Sequence, residues 1–306
     1  MRILVTGADG QLGRDLLDAL AGRVPTGGQR CALLGPEGPQ RGLDHDVRAT
    51  DVGTMRVEDR DAVLSVFYEF KPDLVLHGGA LTAVDACETE VELAFAVNAI
   101  GTRNVAEAAA AVGAHLLYVS TDYVFDGTSA RPYREWDAPN PMSVYGATKL
   151  AGERECPPGS TIVRTSWVSG AHGANMVKTV LRLAEGDGIL RFVDDQHGSP
   201  TFTADLAPAI VTLGTNRRPG IFHVTNQGPT TWYEFAREIV ALAGRDPELV
   251  LPISTAEMDP PRPAPRPANS VLDNMALRLS GLPPLPDWQD GLRRLVNALV
   301  TEEVNA

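Results

Sequence analysis

The chain has 306 residues, 43% of them hydrophobic, and a formal net charge of -12. That length buries a substantial core and suits one large α/β domain with a smaller satellite. The acidic balance excludes nucleic acid and an anionic membrane surface as principal partners, and leaves nucleotide binding to local cations and backbone N–H groups.

The first expected element is a buried strand, Arg2 to Thr6. A glycine turn follows, then a helix whose Leu12, Leu16, Leu17 and Leu20 fall on one face. The stretch from Gly22 to Gly42, rich in Gly, Pro and Arg, reads as an insertion. The second strand is placed at Val47 to Asp51, with Cys31 to Gly35 as the alternative. Asp59-Arg60-Asp61 then opens a helix. Further strands are expected at Asp73 to His77, His115 to Ser120 and Ser160 to Thr165, with a long Ala-rich helix from about Val91 to Val112. Strands alternating with helices imply βαβ units and a parallel sheet. Beyond Thr165 helical patterns recur near 175–185, 203–214, 230–243 and 287–300, and the Pro-rich run 260–267 separates the last two. Cys31, Cys87 and Cys156 stand far apart, which fits reduced thiols in a cytosol and gives no metal or disulfide signal. The apolar run Ile3-Leu4-Val5 starts too close to Met1 for a signal peptide, and no run reaches membrane-span length.

Gly7, Gly10 and Gly13 form GxxGxxG directly between a strand and a helix. That context lets backbone approach a pyrophosphate and aims the helix N-terminus at the anion. The missing Lys-Ser/Thr excludes a Walker P-loop. Asp51 is the candidate for the adenosine ribose hydroxyls, which favours NAD, while Arg48 and Arg56 nearby leave NADP open. Tyr145 and Lys149 are i and i+4, so a helix puts them on one face. A neighbouring ammonium favours the phenolate and lowers the tyrosine pKa. With Thr121 ending the preceding strand, the set points to delivery of a hydride and a proton to a carbonyl.

The chain resembles the extended short-chain dehydrogenase/reductase family, and within it the reductases of dTDP-linked 4-keto-6-deoxysugars. The segments that carry this are GADGQLG (7–13), TAVDACE (82–88), VNAIGT (97–102), STDYVFDG (120–127), VYGATKLAGE (144–153), RTSWV (164–168), DDQHGSPT (194–201), RPAPRPANS (262–270) and LPDWQ (285–289). The resemblance implies an α/β fold, a doubly wound Rossmann-type parallel sheet with a smaller C-terminal α+β substrate lobe. Residues 1–165 would bind NAD(P), with 189–220 and the C-terminal helix returning to that domain. Residues 166–188 and 221–285 would form the substrate lobe.

The implied reaction is reduction of dTDP-4-dehydro-β-L-rhamnose to dTDP-β-L-rhamnose with NADPH or NADH. Tyr145 would give the proton, Lys149 would orient the cofactor and tune Tyr145, and Thr121 would assist at the same oxygen. Gly10, Gln11 and Leu12 would hold the pyrophosphate. Arg56 and Val57 would lie by the adenine, and Gly78, Gly79, Ala80 and Thr82 would line the cofactor further along. Asn98 would hold active-site backbone or a water. Asp122 and Trp167 would contact the sugar, and Asn175, Lys178, Arg262 and Arg266 the diphosphate, unless the Pro-rich run is a rigid spacer. The DDQHGSPT loop would border the substrate or simply cap the helix at Thr203. Some members use Mg2+ and some form homodimers, but the sequence shows no dedicated metal cluster.

Departures from the family pattern are Arg56 where an acid is common, His77-Gly78-Gly79-Ala80 by the cofactor, His172 to Asn175, and the unmatched GPEGPQRG. A sugar-nucleotide dehydratase is disfavoured because Tyr123, not Glu, follows Asp122. A reductase of another 4-ketosugar, and a non-catalytic dinucleotide-binding subunit, are the competing expectations.

Overall fold

The computed structural model describes residues 1–28, 45–186 and 188–305. Its centre is a six-stranded sheet built from β1 (Arg2–Thr6), β2 (Asp46–Thr50), β3 (Leu74–His77), β4 (His115–Thr121), β5 (Thr161–Thr165) and β6 (Gly220–His223). The strands lie in the order β6-β5-β4-β3-β1-β2, and every pairing is parallel. Parallel sheets are covered on both faces, which is why Ile3, Leu4, Val5, Leu74, Val75 and Leu76 are all fully buried. β2 falls on the preferred sequence position, and the Cys31 to Gly35 alternative lies outside the described residues. So do GPEGPQRG and most of the expected insertion.

One sheet face is covered by α1 (Gln11–Leu20) and the almost wholly buried α8 (Thr203–Thr215). The other is covered by α2 (Arg60–Phe70) and α5 (Gly101–Val112). Asp59 caps α2 by accepting from the Ala62 N–H at 3.1 Å, as its Asp-Arg-Asp opening suggests. The expected long helix from Val91 is interrupted. After α3 (Val84–Thr89), α4 (Val91–Phe95) runs into a π-helical turn, Ala96–Ile100, before α5 begins. The residues around the turn keep helical spacing, so composition does not betray it.

Beyond the sheet, α6 (Val144–Glu155) returns to β5. A second apolar cluster unites α7 (Met176–Ala184), α9 (Trp232–Leu242) and α11 (Trp288–Asn305) around Val177, Val180, Phe235, Ile239 and Val296. The short α10 (Met275–Leu279) packs instead with the sheet cluster through Ala276 and Leu277. Leu190–Val193 pairs in parallel with Val250–Ile253, apart from the central sheet. Leu190–Val193 and α11 thus pack with the second cluster and α8 with the sheet cluster, while Arg294 of α11 also donates to Asp205 of α8 at 2.9 and 2.7 Å. An amphipathic pattern reveals that a helix has an apolar face, not which core that face meets.

The chain crosses from β1 to β2 on one side and then to β3 on the other. That reversal opens a crevice at the C-terminal strand ends, where open α/β sheets take ligands.

Candidate active site

A cleft of about 860 Å³ opens at this reversal. The glycine cradle forms one wall. Gly7 stands at φ 70, and a methyl on Gly13 would come within 2.2 Å of the Gly7 carbonyl oxygen, so neither position has room for a side chain. Gly10 caps α1 with no side-chain hydrogen bond, which leaves the first N–H groups of the helix for an anion. Gln11 reaches across the cleft mouth and donates to the Val168 carbonyl at 3.1 Å.

Asp51 closes the turn after β2 by accepting from the N–H groups of Gly53 and Thr54 at 2.8 and 3.1 Å. It also shares a hydrogen bond with Asp9, which pulls the Asp51 carboxyl below the usual range and pushes Asp9 up. Arg56 is turned to Glu58 at 2.8 Å. This end of the cleft thus carries Asp9, Asp51 and Glu58 around one paired arginine.

The segment after β3 is fixed from beneath. His77 is fully buried, with its ring nitrogens 2.7 Å from Thr6 Oγ1 and 3.2 Å from Thr102 Oγ1. Burial lowers its pKa to about 3, so it is neutral. Thr6 Oγ1 in turn accepts from the Gly79 N–H at 3.2 Å. The His77 departure therefore acts by holding the glycine backbone rather than by facing the cleft.

Tyr145 and Lys149 sit on the first turns of α6, whose N-cap Ser143 accepts from the Gly146 N–H at 3.1 Å. A methyl on Gly146 would stand 2.1 Å from the Tyr123 carbonyl oxygen, so glycine there lets the helix press onto the end of β4. The Tyr145 phenol lies beside Thr121 and meets Tyr123 edge-on at 5.6 Å. Burial pushes its pKa well above the tyrosine range; the Thr121 hydroxyl acts the other way and the Asp122 charge adds to the rise. Lys149 is not among the main causes of that shift. Lys149 Nζ instead donates to the Val119 carbonyl at 2.8 Å and lies 4.1 Å from the Tyr118 ring centroid.

Burial lowers the Lys149 pKa to about 7, and the Glu153 carboxylate opposes that shift. Asp122 accepts from Thr121 and Ser166, each at 3.0 Å, and burial raises its pKa to about 6 against those hydrogen bonds. Asn98, in the π turn, accepts from the Leu81 N–H at 2.8 Å and donates to the Leu81 carbonyl and to Thr148 at 3.1 and 3.0 Å. It holds active-site backbone.

Of the residues singled out in the sequence, the cleft gathers Gly7, Gly10, Gln11, Leu12, Gly13, Asp51, Arg56 and Val57. It also gathers Gly78, Gly79, Ala80, Thr82, Thr121, Asp122, Tyr145, Lys149 and Trp167. Asn175 and Arg266 stand outside its lining. Asn175 caps α7 and donates to the Gly170 carbonyl at 2.8 Å. Lys178 is held by the Ala171 carbonyl at 2.6 Å. Arg266 is gripped by both oxygens of Asp85 at 2.6 and 2.9 Å, and Arg262 lies 3.7 Å from the same carboxylate. The DDQHGSPT loop bonds Thr231 and Thr255 through Asp194 and Asp195, and it backs the cleft through Gly198 against Trp167 and through Thr201, which pairs with Val168 and donates its N–H to the Trp167 carbonyl at 3.4 Å.

Sequence reasoning missed Asp9, Tyr123, Ser166 and Trp232, which also line the cleft. Asp9 had a signal, an acid inside the glycine run itself. Outside the lining, Asp15, Asp18 and His172 bring ligand-type atoms within 4.8 Å of one another.

A glycine cradle at the switch point of a parallel sheet, facing a Thr–Tyr–Lys set, defines a Rossmann-type protein of the extended short-chain dehydrogenase/reductase class. The family described as the RmlD substrate binding domain matches residues 1–301, and the chain belongs to it. It is 43% identical to the dTDP-4-dehydrorhamnose reductase of Streptomyces griseus, over 97% of this chain and 94% of that one. The dTDP-4-dehydrorhamnose reductase structure from Clostridium acetobutylicum superposes with a TM-score of 0.88 at 40% identity, covering 98% of this chain and 100% of the other. The Bacillus anthracis enzyme, solved in complex with NADP, gives a TM-score of 0.84 at 38% identity, covering 96% and 98%.

Proposed function

We propose that this chain reduces dTDP-4-dehydro-β-L-rhamnose to dTDP-β-L-rhamnose with NADH or NADPH. The observation that carries the reading is the cradle and the Tyr145–Thr121–Lys149 set in one cleft. The residues fit a dinucleotide: the cradle has no room for side chains, and the uncapped N-terminus of α1 offers free N–H groups where a pyrophosphate would lie. Gly10, Gln11 and Leu12 would hold that group, with Asp51 at the ribose and Lys149 beside the nicotinamide end.

When bound, the reduced nicotinamide supplies the hydride to sugar C4. Tyr145 gives its phenolic proton to the C4 oxygen, so the carbonyl becomes a secondary alcohol. A tyrosine holds its proton near neutrality, so Tyr145 is in the form that can donate. Thr121, anchored to Asp122, orients the carbonyl oxygen. Lys149, while charged, stabilises the phenolate left behind. The free thiols of Cys87 and Cys156 support a cytoplasmic setting. Among the described residues no helix is long and apolar enough to cross a membrane.

The test is oxidation of NADH and of NADPH, separately, with dTDP-4-dehydro-L-rhamnose made in situ, and NMR identification of the sugar. dTDP-L-rhamnose as product supports the reading. A different C4 epimer moves the chain to another deoxysugar route, and cofactor binding without turnover favours a non-catalytic role.

A further inference from the structure

Trp167 is the one aromatic residue among the described positions with a positive φ, 46°. A bulky residue in the left-handed region is an outlier that persists only when its surroundings enforce it. Two neighbours enforce it here. Trp232 stacks on it with ring centroids 3.6 Å apart and planes 10° from parallel. That is closer and more face-on than the offset geometry aromatic pairs choose for themselves, with centroids about 4.5–7 Å apart. Gly198 backs it so tightly that a methyl there would lie 2.3 to 2.5 Å from the indole.

The two indoles come from distant parts of the chain. Trp167 follows Ser166, whose hydroxyl donates to Asp122 at 3.0 Å beside Thr121. Trp232 opens α9 in the smaller lobe, where the Thr231–Glu234 capping box fixes the first turn and Thr231 donates to Asp194 at 2.7 Å. Behind it Phe235 meets both indoles, at 6.3 and 6.1 Å, and passes the packing on to Trp288 at 5.7 Å. Both indoles line the cleft.

We propose that Trp232 is a positioning residue: with Gly198 behind, it clamps Trp167 in its left-handed conformation, so that the edge of the Trp167 indole forms the wall against which the deoxysugar docks. This rests on the reductase reading for the identity of the sugar. The stack makes the smaller lobe a determinant of how the reacting carbon is presented, without touching the proton donor.

The experiment compares wild type, Trp232→Leu, Trp232→Phe and Gly198→Ala. The stack is read by the exciton couplet of the paired indoles in circular dichroism. Sugar-nucleotide binding is read by calorimetry with dTDP-L-rhamnose, cofactor binding by NADH fluorescence, and KM and kcat on the 4-ketosugar complete the set. We expect Trp232→Leu and Gly198→Ala to lose the couplet and to weaken dTDP-L-rhamnose binding and raise KM by about tenfold, the scale of one aromatic pair. NADH affinity and kcat should change less than about twofold. Trp232→Phe, whose ring can still stack although the couplet goes with the indole, should keep most of the affinity, and Gly198→Ala carries the test if the leucine variant does not fold. Loss of the couplet in Gly198→Ala, which keeps both indoles, with unchanged sugar-nucleotide affinity overturns the proposal, as does an equal loss of NADH binding. A wild type that binds no dTDP-L-rhamnose overturns the reductase reading and this inference together, whereas a wild type that binds and turns over beside unaffected variants overturns this inference alone.

Discussion

The buried pair Glu153–Arg164 is the sharpest place to test the packing behind the site. Arg164 Nε and Nη2 donate to Glu153 Oε1 and Oε2 at 2.8 and 2.7 Å, and the two side chains are 2% and 5% exposed. Ser120 donates to the same carboxylate, and the guanidinium carbon lies 5.2 Å from the Phe125 ring centroid. Glu153→Gln keeps the shape but leaves a guanidinium charged in the interior without its anion. Removing one partner of such a pair costs about 3–5 kcal/mol, whereas replacing both with apolar groups is often neutral. Urea unfolding followed by tryptophan fluorescence should therefore show Glu153→Gln less stable by about 3–5 kcal/mol, with an unchanged m value. The double variant Glu153→Leu with Arg164→Met should recover most of that loss. A single-variant loss below about 1 kcal/mol, the range of exposed ion pairs, would refute the argument. So would a double variant as damaged as the single one.

Tyr145→Phe removes only the phenolic oxygen. It should lower kcat by about a hundredfold or more while cofactor affinity stays within about threefold, and surviving turnover would remove Tyr145 as proton donor. Lys149, lowered to about 7 by burial, should lose its charge as pH rises through that value, so kcat/KM for the cofactor should fall above it. Stability runs the other way: the unfolded chain keeps the proton, so the penalty is fully present below about 7 and is relieved as pH climbs toward the unfolded lysine value. Because Glu153 opposes the shift, Glu153→Gln should move the activity limb to lower pH, and an unmoved limb would mean another group titrates there. Asp9 and Asp51 together should repel a 2′-phosphate, so NADH should give the higher kcat/KM. Neutralising both acids with Asn should shift the preference toward NADPH by about tenfold or more; a wild type that prefers NADPH would sink this reading.

The sheet and the cradle were legible because their causes are local. A strand buried on both faces must be a short apolar run, and a pyrophosphate turn must spend glycines at fixed spacing. Tyr145 and Lys149 were legible for the same reason, since four residues on a helix decide a shared face. What escaped depends on residues far apart in the chain. Asp85 and Arg266 are 181 positions apart, so the arginine expected to face a diphosphate could not be seen to have a carboxylate already on it. Trp232 looks like an ordinary first-turn aromatic until Trp167 is found against it. The pKa of Tyr145 escaped too. Burial, which no pattern of spacing reports, is the main cause of its rise.

The π turn shows how such non-local needs enter a local element. Asn98 needs to bond both the N–H and the carbonyl of Leu81 and also reach Thr148 on α6. A regular helix through 91–112 would advance each side chain by a fixed angle of about 100°. The wider turn at Ala96–Ile100 breaks that advance between α4 and α5. The carbonyl of Asn98 still accepts from Thr102 Oγ1 at 2.7 Å, and Thr102 in turn lies against His77. One irregular turn therefore ties the segment after β3, the base of α6 and the buried histidine under the glycine backbone into a single hydrogen-bonded support. π turns inside α-helices gather at functional sites for this reason: they re-aim a side chain while the rest of the helix keeps its packing.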